Sequence, residues 1–132
     1  MRRPLRLAIA LGGVLLLVAF VARASLPAGG YDCSGFSFDR EAWASDEEAL
    51  PGGEATLRQR QADGLLACGS LQGKPRADVL DMLGPAEDVL KRPGASTWVT
   101  GPARNLIAID REHLVVQFDG AERVASVRIV TE

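Results

Sequence analysis

The side chains that could do covalent or metal chemistry are few in this chain of 132 residues, and they are scattered. His113 is the one histidine, and Cys33 and Cys68 are the two cysteines. One histidine and two cysteines without a Cys-x-x-Cys pair give no zinc-ligand spacing. His113 follows Glu112 at the opening of an alternating apolar run, which reads as a surface or strand-edge position. No Gly-x-Ser-x-Gly elbow accompanies the serines, and no phosphate-cradling glycine pattern occurs. Asp78 and Asp81 stand at i, i+3 on a helix, where two carboxylates could share acid and base roles. Solvation of first-turn and surface carboxylates explains them more simply, and Asp46-Glu-Glu48 reads as a solvated loop. The sequence predicts no catalytic residues, no metal and no cofactor.

The cysteines take their meaning from the start of the chain. Arg2, Arg3 and Arg6 precede an uncharged apolar run, Leu7 to Ala22. A basic start, a hydrophobic stretch and a small-residue end are the parts of a secretory signal, and Ala22-Arg-Ala24 offers a cleavage site. The alternative is an uncleaved anchor with its basic end in the cytoplasm. Pro4-Leu5-Arg6 fits a twin-arginine signal poorly, and Cys33 lies too far behind the apolar run for lipidation. Residues 1–24 are therefore expected to be a signal peptide or membrane anchor. The chain from residue 25 onward is expected in the periplasm, secreted, or held at the inner membrane by that segment. In an oxidising compartment Cys33 and Cys68 are expected to pair; two buried thiols are the alternative.

Without residues 1–24 the chain keeps eleven basic and seventeen acidic residues, a net charge of −6 over 108 residues. That balance argues against nucleic acid, which needs clustered cations, and against an anionic membrane surface. The remaining length suits one domain with its own core.

The elements that would position these groups fall into two halves. Residues 25–53 read as a linker and a short helical segment, with Asp39 as N-cap and Phe38 and Trp43 as a hydrophobic staple. Residues 54–132 read as a small α+β domain. Its first helix runs over 54–68, with Leu57, Gln61, Leu65 and Cys68 on one face and Arg58 and Arg60 flanking it toward solvent; Gly64 weakens it. Its second runs over 74–83, with Pro75 in the first turn, Asp78 at the positive end of the dipole and an apolar stripe of Val79, Leu80, Met82 and Leu83. Gly84 and Pro85 stop it. Strands are then expected at 96–100, at 106–109 as an extra strand or loop edge, and at 114–118 and 125–129 on either side of a turn at 119–123. The fold class is α+β, two helices on one face of a three- to four-stranded antiparallel sheet.

The order of Gly73-Lys-Pro-Arg-Ala-Asp-Val79, Leu83-Gly-Pro85, Trp98, Leu114-Val-Val-Gln-Phe-Asp119 and a closing valine-rich strand resembles the SmpA/OmlA family. That family supplies a small lipoprotein subunit of the outer-membrane β-barrel assembly machinery, and its fold recurs in β-lactamase inhibitor protein repeats. The resemblance covers residues 65–130. Pro75 stands where the family has a capping Ser or Thr, the lipobox cysteine is missing, and the segment with Cys33 is outside the family's pattern. What the resemblance implies is a fold for protein–protein contact in the bacterial envelope. The expected function is then an exported, non-catalytic protein that binds another envelope protein, with Trp98, Val115 and Gln117 as candidate partner-binding residues. Trp98 is expected either on the exposed sheet face or packed beneath the helices. A small-ligand or cell-wall-binding module is the alternative, and a carboxylate-dependent hydrolase fits least.

Overall fold

Asp39 sets the start of the first helix. Its Oδ1 accepts the backbone N–H groups of Glu41 and Ala42, two of the donors that a helix start leaves without partners. The structure is a computed structural model that describes residues 31–45, 54–105 and 109–132. The leader, the acidic run Asp46–Glu48 and most of the strand expected at 106–109 lie outside the described residues. A 3-10 turn at Cys33–Gly35 precedes α1 (Arg40–Ala44), α2 (Leu57–Ala67) and α3 (Arg76–Leu83); β1 (Ala95–Pro102), β2 (Arg111–Phe118) and β3 (Val124–Thr131) complete the order. Among the described residues no helix is long and apolar enough to cross a membrane.

The fold class is α+β, with three helices and a three-stranded antiparallel sheet in the order β1-β2-β3 among the described residues. Ile109, expected in an extra strand or a loop edge, sits in a turn before β2 and is 81% exposed. Residues 31–45 carry the short helical segment expected between 25 and 53. Phe38 and Trp43 form the staple with ring centroids 6.2 Å apart, and Trp43 enters the same core as the sheet.

α2 starts later than its apolar pattern suggests because Thr56 caps it. Thr56 Oγ1 accepts the Gln59 N–H at 3.0 Å and Gln59 Oε1 accepts the Thr56 N–H at 2.9 Å, a reciprocal capping box. The buried side of α2 is Gln59, Ala62, Gly64 and Leu65, while Leu66 is exposed. Gly64 explains that rotation. A Cβ placed there would lie 2.1 Å from the Phe36 ring, so the missing side chain is the seat that lets Phe36 reach the helix. Arg58 departs from expectation. It lies inward with its guanidinium 5.2 Å from the Trp43 ring centre and donates to Trp43 O at 2.6 Å, Val99 O at 2.9 Å and Glu87 Oε1 at 3.0 Å. Arg60 is exposed, as expected.

α3 begins one step beyond Pro75, which is its N-cap without a side-chain bond. Val79 and Leu83 are buried and Leu80 and Met82 pack beside them. Gly84 ends the helix with φ 83° and ψ −177°, a combination open to glycine and closed to other residues. The helix end is buried, so its last carbonyls need donors. Trp43 Nε1 donates to Leu83 O at 2.8 Å and Trp98 Nε1 to Gly84 O at 3.3 Å.

Beyond Pro85 the chain seals the outer edge of β1. The N–H groups of Glu87 and Asp88 donate to Thr97 O, and the two carboxylates accept from Val99 N and Thr97 N. The core then joins Trp43, Leu65, Leu71, Val79, Leu83, Trp98, Leu114, Val116 and Phe118. Cys33 and Cys68 form a disulfide across 35 residues with Cα atoms 5.6 Å apart, which ties the 3-10 turn to the end of α2.

Two measurements check this packing. Replacing both cysteines by alanine is expected to lower the unfolding free energy by about 3 kcal/mol through the freed loop, read as a lower urea midpoint; equal midpoints would contradict it. Gly64→Ala, which should add about 1 kcal/mol by helix propensity, is expected instead to destabilise by about 1–2 kcal/mol through overpacking on Phe36. In a Phe36→Ala background the same change should become stabilising, which a double-mutant cycle resolves.

Candidate partner-binding site

The sheet register divides the residues that the sequence offered for partner contact. Trp98, Leu114 and Ile129 form one cross-strand row, and Ser96, Val116 and Val127 the next; their apolar members lie on the helix side, in or against the core. The rows between them face the other way: Val99, His113 and Val130; Thr97, Val115 and Arg128; Ala95, Gln117 and Ser126. Trp98 is therefore on the helix side, 1% exposed, with its indole bonded to the end of α3. Val115 and Gln117 lie together on the opposite face. Val115 is buried, and Gln117 is half-buried with Nε2 donating to Pro93 O at 3.2 Å. The structure brings Val115 and Gln117 together and separates both from Trp98.

β2 is buried on both faces, where simple alternation suggested one. His113 corrects its surface reading in the same way. It lies on the central strand, 2% exposed, because the run Arg111–Phe118 begins three residues further toward the N-terminus than the apolar pattern shows. His113 Nδ1 and Thr97 Oγ1 are both buried without a hydrogen-bond partner among the described residues. Their rows adjoin, so the two groups flank Val115 on one face.

The carboxylates of the described residues mostly have structural partners. Asp39 caps α1, Glu87 and Asp88 close the β1 edge, and Asp119 Oδ1 accepts from Ala121 N and Arg123 N to hold the β2–β3 turn. Asp32 bonds the Ser34 hydroxyl and backbone N–H, which lowers its pKa, the hydroxyl contributing most. The densest cluster is Arg104 with Asp63 and Glu112. Arg104 Nη1 and Nη2 grip the Asp63 carboxylate at 2.7 and 2.8 Å, and Nε and Nη2 reach Glu112 at 3.0 and 2.6 Å. The bonds to Asp63 and then Glu112 raise the guanidinium pKa further above its usual value. Thr100 Oγ1 adds a bond to Glu112 O at 3.1 Å. This clamp joins α2, the β1–β2 connection and β2. Asp63 and Glu112 are far from each other in sequence, so only the capping box Thr56-x-x-Gln59 nearby was readable from spacing.

Asp78 and Asp81 remain exposed on α3, away from this cluster. Among the described residues no group of three or more His, Cys, Asp or Glu side chains could hold a metal ion. No protein-family model, curated protein or solved structure matches the chain.

Arg104→Met tests whether the clamp holds the domain together. It leaves Glu112, whose side chain is 7% exposed, without its charged partner and is expected to destabilise by about 2 kcal/mol. Adding Glu112→Gln should recover part of that loss; a thermal melt of the single and double variants reads both.

Proposed function

We propose that this chain is an exported, non-catalytic envelope protein that binds another protein through the sheet face opposite its helices. One observation carries the reading. On that face Val99, Val115 and Val130 share their rows with Thr97 and His113, whose buried Oγ1 and Nδ1 have hydrogen-bonding capacity that no described residue takes up. Buried polar groups without partners are uncommon in folded proteins, so a protein contact that reaches this face and supplies a donor or acceptor would satisfy them. Asp78 and Asp81 stand exposed on α3 and several other described carboxylates act as caps and struts, which weighs against the hydrolase reading, and nothing specific favours a small-ligand cleft.

The disulfide fits an oxidising compartment, in keeping with a leader at residues 1–24 and a domain in the periplasm, secreted, or tethered to the inner membrane. The motif resemblance to SmpA/OmlA supports the same setting and a role as scaffold, inhibitor or assembly accessory.

Photo-crosslinking in cells tests the proposal. A photoreactive residue in place of Gln117 or Arg128 should yield a discrete adduct with a second protein, and the same residue in place of the exposed Ala77 on α3 should not. Adducts from neither sheet position, or equally from all three, would sink it.

A further inference from the structure

We propose that the free edge of β3, from Val127 to Thr131, accepts an added β-strand from the partner, and that this strand is an extended acidic segment. The inference rests on the protein-binding reading above and names the chemistry of what is bound.

The hydrogen-bond parity of the sheet identifies the edge. Arg111 and Glu132 exchange both backbone bonds, at 2.9 and 3.0 Å. The antiparallel register then makes His113–Val130, Val115–Arg128 and Gln117–Ser126 the bonded pairs. The N–H and C=O groups of Val127, Ile129 and Thr131 point away from β2, and no described residue bonds to them. Most of the rest of the sheet margin is occupied by the chain itself. On β1, Thr97 and Val99 have both backbone groups bonded by Glu87, Asp88 and Arg58. At the start of β3, Lys74 O accepts the Val124 N–H and Gly73 N donates to Val124 O, while Gln72 Nε2 reaches Ala125 O at 3.1 Å. The chain's own segment 72–74 therefore pairs with the first part of β3 and stops where the open part begins.

Exposed strand edges are usually guarded by proline, bulges or inward-pointing charges. Between Val127 and Thr131 there is no proline, and the bulge against β2 lies earlier, at Gln117/Phe118. Val127 and Ile129 lie half-buried on the helix side and Val130 half-buried on the other. An incoming strand would thus meet apolar surface on both faces as well as backbone partners, the combination used in β-strand addition.

Charge selects the occupant. Arg128 is exposed on the open part of the edge and Lys74 and Arg123 are exposed beside its closed start, and none forms an ion pair among the described residues. The carboxylates at the two ends of β3 are taken, Glu122 by Arg76 and Glu132 by Arg92. The edge is locally cationic in a chain of net charge −2. A second copy fits worse. A two-fold pairing centred on Arg128 sets two guanidiniums opposite each other, which destabilises a cross-strand pair, and one centred on Ile129 sets each Arg128 beside Val130 with no carboxylate.

The test uses the full-length protein in mild detergent and a fluorescent, end-capped heptapeptide alternating glutamate and valine, read by anisotropy. Saturable binding is expected, weakened at least about tenfold when lysine replaces glutamate. N-methylation of alternate peptide amides should abolish binding in one phase and not in the other. Ile129→Pro removes an outward N–H and no β2–β3 bond, so it should abolish binding while the unfolding midpoint confirms the fold. Arg128→Glu should reverse the charge preference. Equal affinity for wild type and Ile129→Pro, absence of saturable binding, or an Ile129-dependent dimer in sedimentation would each overturn the proposal. In cells, a partner captured equally by wild type and Ile129→Pro overturns the edge assignment alone, whereas capture of no partner overturns the protein-binding reading beneath it.

Discussion

The buried C-terminal end of α3 is the constraint around which the domain is arranged. A helix end leaves carbonyl oxygens without intrahelical donors, and burying them unpaired costs roughly 1–3 kcal/mol each. Here two indoles meet the need from opposite directions in sequence. Trp43 arrives from α1 and bonds Leu83 O; Trp98 arrives from β1 and bonds Gly84 O. Each ring brings its large apolar surface into the core while its one polar atom is satisfied. Gly84 makes the arrangement fit, because its φ of 83° with ψ of −177° turns the chain through a conformation that other residues adopt only with strain. Remove that meeting point and α1, α3 and the sheet lose their common contact.

A second layer of polar struts fixes what the indoles bring together. Arg58 lies against Trp43 and binds the Val99 carbonyl, joining α1 to the outer strand. Thr56 and Gln59 cap α2 and also hold the far end of β1, through Thr100 O and Pro102 O. Arg104 closes the same end against Asp63 and Glu112. Exposed ion pairs are worth little on their own, but these cations bond backbone carbonyls or a carboxylate that is itself buried. They therefore fix geometry more than they add attraction. With so many charged groups holding the scaffold, contact chemistry is left to the strand faces and the strand edge.

Local signals made the architecture legible. Asp39 announced α1, Gly84-Pro85 ended α3, and alternation marked β2 and β3, so the α+β class was readable. The cysteine pairing was an expectation from compartment and count, and the structure contains the bond. What stayed hidden was long-range. Arg58 looks solvent-bound beside its helical neighbours, and only the approach of Trp43 and Val99 turns it inward. Arg104 meets Asp63 across 41 residues, which no spacing rule reports. Trp98 could stand on either face until the register put it with Leu114. His113 looked peripheral because the alternation visible in the sequence begins at Leu114, whereas the ladder with β1 begins at Arg111. The candidate contact residues were thus half legible: Val115 and Gln117 share a face, and the edge groups beside them are backbone atoms that no side-chain pattern encodes.

The Cys33–Cys68 bond has a topological consequence. It makes residues 33–68 a closed covalent ring that contains α1, α2 and the connection between them. A single cut by a protease anywhere in that ring opens it without releasing either piece. Trp43 then stays tethered through whichever side of the cut it lies on, and the nicked protein can still bring both indoles to the end of α3. The part of the chain that would be lost most readily from an unbridged domain, its N-terminal helical piece, is thereby kept as a covalently retained fragment. A reducing environment would turn the same cut into a dissociation.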